Sequence, residues 1–389
     1  MESQSENMSM ENVSTENVST ENVFTENVST EDEPAENVQT KKIDTIKFVT
    51  TQAQDVSINM AGITEIAMEV MSYMVRNHEN QNFGEVTSRY VRLSSGFHPK
   101  PNDPKAPDWL FVLNTLNFAL WTRKDEPEWK VHGFTGYIAL CAAIKRAMER
   151  GKPMWNPTFY KDLSMTDMKI IFRGDNNNYI PRISERLEIL HDIGKILLDK
   201  FKGTFSECIR LCEHDAAKLI PILMKFPSYD DSLTKYGETQ VRLYNKAMIL
   251  TASMVTFFGP KHSLHLKWAN EKPPTIFADY RIPQIFNHFK ALVYSKNFLD
   301  KLEEKDGLLT HGSREGLEIF CCSITIARYV KKMVIEKCDY YIEENKIPEI
   351  CLPSFDFTCL VDNFLWDYRQ IYDKELKKSI LCKISTDQY

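Results

Sequence analysis

The sequence predicts a mostly α-helical protein built around one large domain. Apolar residues recur at spacings of three, four and seven over much of the chain, and only 14 of the 389 residues are glycine. Strand-like and helix-like segments do not alternate, which argues against a parallel α/β sheet. The few strand-like segments are short and close together in sequence. We therefore expect any β-structure to be a small element within a helical fold.

Residues 1–42 are predicted to be a disordered, acidic tail. Four pentapeptides, ENVST ENVST ENVFT ENVST, fill residues 11–30, and ten acidic residues precede Lys41 without any Lys or Arg among them. Such a segment is too poor in apolar residues for burial to offset the entropy lost on ordering. We expect the folded domain to span residues 43–389 and to fold and function without the tail.

The helical period is clearest in residues 183–201. Ile183, Leu187, Leu190 and Leu197 lie at helical spacing there, and Gly203 is a typical stop signal. Similar spacing predicts helices at 62–76, 136–150, 205–225, 240–257, 283–303 and 315–337. Two further apolar segments, 109–121 and 129–134, are predicted to be strands.

We expect a soluble, cytoplasmic protein without a metal. No apolar run approaches the roughly 20 residues that a membrane span requires, and the acidic first residues resemble neither a secretory signal nor a transit peptide. The nine cysteines are an odd, scattered set, which fits reducing surroundings. Cys208, Cys212 and His214 form the one tight group, but Cys208 and Cys212 are four apart and simply share one face of a helix.

The charge balance favours a small anionic ligand over nucleic acid. Removing the ten acids of the tail from the chain total of 54 leaves 44 acidic against 48 basic side chains in the domain. A mild positive excess suits a small anion, whereas a nucleic-acid surface shows a denser basic stripe. We expect no direct contact with nucleic acid or membrane.

Acidic residues among aromatic ones are the candidate chemical groups. The common phosphate-loop, dinucleotide, zinc-protease and serine-hydrolase motifs are absent from the sequence. What remains is Asp279 in FADYR, Asp362 and Asp367 in VDNFLWDY, and Asp125 in FALWTRKDEPEW. Aromatic walls stack on a planar base, and carboxylates accept its N–H groups or stabilise a positively charged sugar. Asp279 could equally cap the helix that Ile282 and Pro283 begin.

Several long motifs together resemble the queuosine salvage family. They are VLNTLNFALW, IPRISERLEILHDIGKILLDKF, FPSY, FADYRIPQIFNHFKAL and LVDNFLWDY, and the resemblance runs from about residue 45 to the C-terminus. It implies an all-helical fold related to helix-hairpin-helix DNA glycosylases. It also implies an N-glycosidase that needs no cofactor, hydrolyses the N-glycosidic bond of queuosine 5′-monophosphate and releases queuine for tRNA modification.

The resemblance also implies roles for particular residues. Asp279 matches the catalytic aspartate of the family. The residues expected to contact the substrate are His98, Phe277, Tyr280, Asp362, Asn363 and Asp367. Asn363 departs from the family pattern, in which an aromatic residue usually follows the first acid. Candidates for binding the 5′-phosphate are Lys246, Arg281 and Arg186.

The expected chemistry would act mainly on the ribose. Queuine is a 7-deazaguanine and lacks the N7 that other purines protonate as they leave. A carboxylate such as Asp279 would then have to stabilise the cation that forms on the sugar. Two other functions remain open at this stage: a non-catalytic binding protein or carrier for a modified nucleoside or base, and a helical scaffold whose partners use the acidic tail.

Overall fold

The computed structural model describes residues 44–79, 96–268, 280–343 and 357–386. Residues 43–389 form one compact unit. The predicted tail lies outside the described ranges, so its disorder and its boundary at residue 42 stay predictions.

The described residues are mainly helical, which confirms the predicted fold class. The helices are α1 (Thr45–Gln52), α2 (Met60–Glu79), α3 (Ala106–Thr115), α4 (Gly136–Glu149), α5 (Pro157–Tyr160), α6 (Met165–Ile171), α7 (Ile183–Lys200), α8 (Phe205–Arg210), α9 (Leu219–Leu223), α10 (Asn245–Phe257), α11 (Ile282–His288), α12 (Lys296–Glu304), α13 (Arg314–Glu343), α14 (Phe357–Ile371) and α15 (Asp373–Leu376). Among the described residues, none of these helices combines the length and apolar composition needed to cross a membrane. The relation to helix-hairpin-helix glycosylases stays a prediction.

Three pairs of short strands complete the described part of the fold. The strands are β1 (Val56–Ile58), β2 (Lys235–Tyr236), β3 (Thr239–Gln240), β4 (Leu292–Tyr294), β5 (Leu308–Thr310) and β6 (Lys383–Ser385). β1 pairs antiparallel with β4, β2 pairs antiparallel with β3, and β5 pairs parallel with β6. The β1–β4 and β5–β6 pairs join segments far apart in sequence, so they hold residues 56–58 and 383–385 against residues 292–310.

The segment 109–121 contains a helix, so its predicted strand is wrong. All ten residues of α3 are buried, including Asp108 and Asn114. A helix buried on every side shows no amphipathic period and resembles a buried strand in sequence. Residues 129–134 are also not a strand. Val131 and Phe134 form one isolated bridge around a tight turn in which His132 and Gly133 have positive φ.

Two long predicted helices are interrupted. The 205–225 prediction contains α8 and α9, separated by Glu213 and His214 in the left-handed backbone region. The 283–303 prediction contains α11, then β4, then α12. β4 forms because a distant strand, β1, supplies its hydrogen bonds, and local apolar spacing carries no sign of such a partner.

The apolar side chains form two core clusters, and α14 contributes to both. The first cluster draws almost entirely on residues 106–266, and the second on residues 49–74, 236–241 and 282–384. Phe364 and Leu365 belong to the second cluster, whereas Trp366 belongs to the first. Helix α14 therefore lies where the two clusters meet.

Candidate functional site

Lys246 is a buried cation beside two aromatic rings. It lies in the first turn of α10 with an exposed fraction of 4%. Its ammonium nitrogen is 5.0 Å from the centre of the Phe118 ring and 5.1 Å from the centre of the Tyr229 ring. Aromatic faces attract cations at such distances. Because lysine is rarely buried so fully, this region is the first candidate for a site that binds an anionic group.

Tyr229 is held in place by its hydroxyl group. Its Oη lies 2.8 Å from Oγ1 of Thr115, and Thr115 donates to the carbonyl of Phe111 at 2.7 Å. A threonine hydroxyl has one proton, so Tyr229 is the donor in the first bond. Burial raises the pKa of Tyr229 well above its ordinary value. The side chain therefore stays neutral and presents a fixed ring beside Lys246.

Arg186 supports the segment that carries Phe118. It is fully buried in the first turn of α7, and its guanidinium group donates to the backbone carbonyls of Leu116, Phe118 and Pro181. The same group lies 4.1 Å from the centre of the Phe118 ring. Burial and the nearby charge of Arg182 lower the pKa of Arg186 to about 9. These bonds favour a structural role over the predicted contact with a phosphate.

Tyr280 adds a side chain from the second half of the sequence. Its hydroxyl oxygen lies 3.9 Å from the position that a Cβ at residue 136 would occupy, and Gly136 has a positive φ of 57°. The guanidinium group of Arg281 lies 5.1 Å from the centre of the Tyr280 ring. Tyr280 is also near enough to act electrostatically on the pKa of Arg186. The structure thus brings Tyr280 near the Phe118 segment that Arg186 supports. We refer to Phe118, Tyr229 and Tyr280 together as the wall.

His98 contacts the first turn of α4, next to the point where Tyr280 approaches Gly136. Its Nε2 is 3.2 Å from Oη of Tyr137 and 3.4 Å from Sγ of Cys141. Tyr137 directly follows Gly136, which the Tyr280 hydroxyl approaches. The first turn of α4 therefore connects His98 to Tyr280, and a substrate contact for His98 stays a prediction.

Helix α14 carries the other acidic candidates. Asp362, Asn363 and Trp366 are buried, with exposed fractions of 5%, 1% and 7%. Asp362 and Trp366 are one turn apart and share a helix face, and Trp366 packs into the first core cluster. The Nδ2 of Asn363 has no hydrogen-bond acceptor among the described residues. This face thus offers a buried carboxylate, and Asn363 adds a buried donor beside it.

Asp362 and Asp367 point in different directions. They are five residues apart, which is about 140° around an α-helix. Asp367 accepts a hydrogen bond of 2.6 Å from Oη of Tyr73 on α2, whereas Asp362 is on the Trp366 side. Of the two acids predicted to contact the base, Asp362 is therefore on the face of α14 that packs toward the first core cluster, to which Tyr229 also belongs.

Arg281 lies between Tyr280 and the start of α15. Burial alone would raise the pKa of Asp373, but Lys377, Arg369 and Arg281 hold it below its ordinary value. Arg369 also lies 5.9 Å from the centre of the Trp366 ring. A groove of about 840 Å³ opens beside Arg281 and is lined by parts of 120–128, 302–307 and 377–383. Arg281 and the residues that follow Phe118 in sequence therefore line a groove open to solvent.

Two predicted site residues, the catalytic Asp279 and Phe277, lie outside the described residues. Their roles stay predictions. Conversely, no role was predicted for Phe118 or Tyr229. The signal was present, since both lie in the motifs NFALW and FPSY that carry the resemblance, but only the fold shows that both rings lie against Lys246.

The chain is similar in sequence to proteins of one known family. Residues 97–387 match the family described as queuosine salvage protein. The chain belongs to the queuosine salvage protein family. A protein of Bos taurus named queuosine 5′-phosphate N-glycosylase/hydrolase is 30% identical over 343 residues, which cover 85% of this chain and 93% of the bovine one. Proteins of the same name from Mus musculus and Schizosaccharomyces pombe are 33% and 28% identical and cover 72% and 82% of this chain.

The described part of this queuosine salvage family member contains no group of three or more His, Cys, Asp or Glu side chains placed to hold a metal ion. Cys208 and Cys212 are both buried, and the Cys212 thiol donates to the Cys208 carbonyl at 3.2 Å. Cys212 lies two residues past the end of α8, so this bond closes the turn that follows the helix. The two cysteines are close, as their four-residue spacing predicts, but only Cys208 lies in the helix.

Arg186→Met should lower the free energy of unfolding by about 3 kcal/mol, because the buried carbonyls of Leu116 and Phe118 would lose their donor. Urea unfolding would measure the change. Arg182→Met is the matched control, since Arg182 is partly exposed and its ion pair with Glu185 spans 3.1 Å; such pairs contribute about 1 kcal/mol or less. Equal losses in both variants would contradict the structural role of Arg186.

Proposed function

We propose that this chain hydrolyses the N-glycosidic bond of queuosine 5′-monophosphate and releases queuine. The observation that carries the proposal is the buried ammonium of Lys246 beside the rings of Phe118 and Tyr229. A mononucleotide has the matching chemistry, since it joins an anionic phosphate to a planar base. Relatives that carry the name queuosine 5′-phosphate N-glycosylase/hydrolase support the same reaction.

The reaction requires stabilisation of positive charge on the ribose. As the bond between C1′ and N9 breaks, its electron pair stays on the base, a water oxygen bonds to C1′, and a proton of that water passes to the base. Queuine has no N7 to protonate, so the sugar side carries most of the catalysis. We propose that Asp279 supplies the carboxylate that faces the ribosyl cation. At 3–4 Å and an effective dielectric near 20, that attraction is on the order of 4 kcal/mol.

Helix α14 is the proposed recognition element for the base. The N1–H and 2-amino groups of the 7-deazaguanine form two adjacent donors, which one carboxylate accepts with both oxygens. Asp362 is suited to this task because it is buried on the Trp366 face of α14. Asn363 would donate from its buried Nδ2 to an acceptor on the substrate. Tyr280, Phe277 and His98 are proposed to complete the wall around base and ribose, and the Asp367 contact stays a further proposal.

Lys246 is the proposed cation for the 5′-phosphate. Of the three candidates from the sequence, Arg186 donates to backbone carbonyls and Arg281 lies over Tyr280 at the groove. Lys246 is also buried beside aromatic rings, but unlike Arg186 it is not used to hold the carbonyls of the Phe118 segment. A buried charge interacts strongly with an anionic group. Cytoplasmic location and the absence of nucleic-acid contacts belong to this proposal as well.

Asp279→Asn should lower turnover by about a thousandfold, because the amide keeps the shape and a capping oxygen but removes the charge that faces the cation. Release of queuine from queuosine 5′-phosphate, followed by chromatography, would measure it. Asp300→Asn on the exposed side of α12 is the control and should keep full activity. Turnover within about tenfold of the parent protein would leave Asp279 as a helix cap, and binding without any release by the parent protein would indicate a carrier.

Asp362→Asn should weaken queuine binding by about 1–3 kcal/mol, since an amide oxygen cannot accept both donors of the base as a carboxylate does. Titration calorimetry with queuine would measure the affinity, and thermal unfolding would be recorded beside it. Asp367→Asn is the comparison on the same helix. If Asp362→Asn lowers stability but leaves the affinity of the folded protein unchanged, Asp362 only supports the core around Trp366.

Lys246→Met should lower kcat/KM for queuosine 5′-phosphate by tenfold or more and change kcat/KM for the nucleoside queuosine much less. The two substrates differ only in the phosphate, so their ratio isolates that contact. Lys225→Met is the matched control because Lys225 is exposed and also lies near an aromatic ring, 6.0 Å from the centre of Phe201. Equal losses with both substrates would place Lys246 at the glycosidic bond instead of at the phosphate.

A further inference from the structure

The contact between Lys246 and Tyr229 closes a long loop. Residues 230–244 run from the Pro227–Tyr229 turn through the β2–β3 hairpin to the start of α10. Tyr229, directly before the loop, and Lys246, two residues after it, meet with the ammonium 5.1 Å from the ring centre. A free 15-residue segment would rarely hold its two ends at one fixed distance. An interaction is therefore needed at the base of the loop, where residues 230–231 and 243–244 meet.

We infer that Asp231 is a positioning residue that fixes Lys246 in the site. Asp231 lies two residues after Tyr229 and is 7% exposed. One of its carboxylate oxygens, Oδ2, accepts the backbone N–H groups of Leu243 and Tyr244 at 2.5 and 2.7 Å. It thus joins the outgoing and returning ends of the loop. The inference rests on the proposed function, in which Lys246 contacts the substrate.

The backbone of Tyr244 shows why this bond matters for Lys246. Tyr244 is in the left-handed backbone region, with φ of 52° and ψ of 19°. This conformation is energetically unfavourable for residues other than glycine. Its carbonyl accepts the N–H of Met248 at 2.8 Å, as the first bond of α10. The direction of the first helical turn, and with it the path of the Lys246 side chain, therefore depends on a conformation that Asp231 holds.

The rest of the loop has an anchor of its own. Oη of Tyr236, in β2, lies 2.9 Å from a carboxylate oxygen of Glu318 on α13 and 2.9 Å from the carbonyl oxygen of Gln52, so these two acceptors share its one proton. Loss of the Asp231 bonds should therefore release the base of the loop while its tip stays attached. This favours a folded variant with a displaced Lys246 over a generally unfolded one.

The neighbouring acid, Asp230, provides a matched control. Asp230 is exposed, and its carboxylate bonds to the N–H and the hydroxyl of Ser232 at 3.0 and 2.9 Å. These bonds stay within the outgoing end of the loop and do not reach residues 243–244. Replacing Asp230 removes a charge at nearly the same place in the sequence without opening the base of the loop.

The test is a double-mutant cycle on kcat/KM for queuosine 5′-phosphate. Asp231→Ala should lower kcat/KM by tenfold or more, Asp231→Asn by about threefold or less because its amide oxygen can still accept both N–H groups, and Asp230→Ala by less than twofold. In a Lys246→Met background, Asp231→Ala should add less than a twofold further loss, because a positioning residue has no effect once the positioned group is gone.

The outcomes separate this inference from the function it rests on. If Asp231→Ala multiplies the loss of Lys246→Met by the same factor as in the parent protein, or has no effect alone, Asp231 does not act through Lys246. If Lys246→Met itself leaves kcat/KM unchanged for both substrates, the proposed role of Lys246 fails and this inference fails with it. Thermal unfolding checks folding. Should Asp231→Ala not fold, Asp231→Ser takes its place in the same cycle, with the same requirement that its effect vanish beside Lys246→Met.

Discussion

The site depends on one constraint: a single helix, α14, packs against both hydrophobic core clusters. Trp366 packs into the cluster formed by residues 106–266, while Phe364 and Leu365 pack into the cluster formed by both ends of the domain. A helix enclosed on several sides has few positions left that face water. Asp362 and Asn363 are consequently buried at the place where the two clusters meet. Burying polar groups is unfavourable unless they are hydrogen-bonded. The Nδ2 of Asn363 has no acceptor among the described residues, and a ligand is the partner we propose for it.

The rings of Phe118 and Tyr229 are held in place for a different reason. Phe118 lies on an irregular segment after α3, and a buried guanidinium group from α7 holds the carbonyls of that segment. A guanidinium group that donates to several carbonyls at once restricts their positions more than apolar packing alone does, because each hydrogen bond has a preferred direction. Tyr229 is fixed in a comparable way by Thr115. The ring faces near Lys246 are thus held by hydrogen bonds from helices distant in sequence.

A fixed site suits a reaction in which charge must be stabilised on a sugar. Groups that are already oriented do not have to reorganise as the cation forms, which is the main advantage of an enzyme over water. Remote contacts contribute as well, since binding of base and phosphate can hold the ribose at the correct place for attack. In this chain the proposed phosphate contact and the proposed base contact lie on α10 and α14, two helices that belong to different parts of the sequence.

The sequence by itself determined the helical class, the position of helices such as α2, α4, α7 and α13, and the membership in a family. Helical spacing and long shared motifs are local properties, so they can be read without a fold. The sequence could not determine that 109–121 contains a buried helix, because a helix surrounded by apolar contacts has no period to detect. Nor could it determine that β4 interrupts a helical pattern, since the partner strand is more than 200 residues away. Only the tertiary structure decided which core the Trp366 face of α14 packs against, which cation lies against Phe118 and Tyr229, and that Arg186 holds the segment of Phe118. These features depend on directions and distances between segments far apart in the chain, which only the folded structure sets.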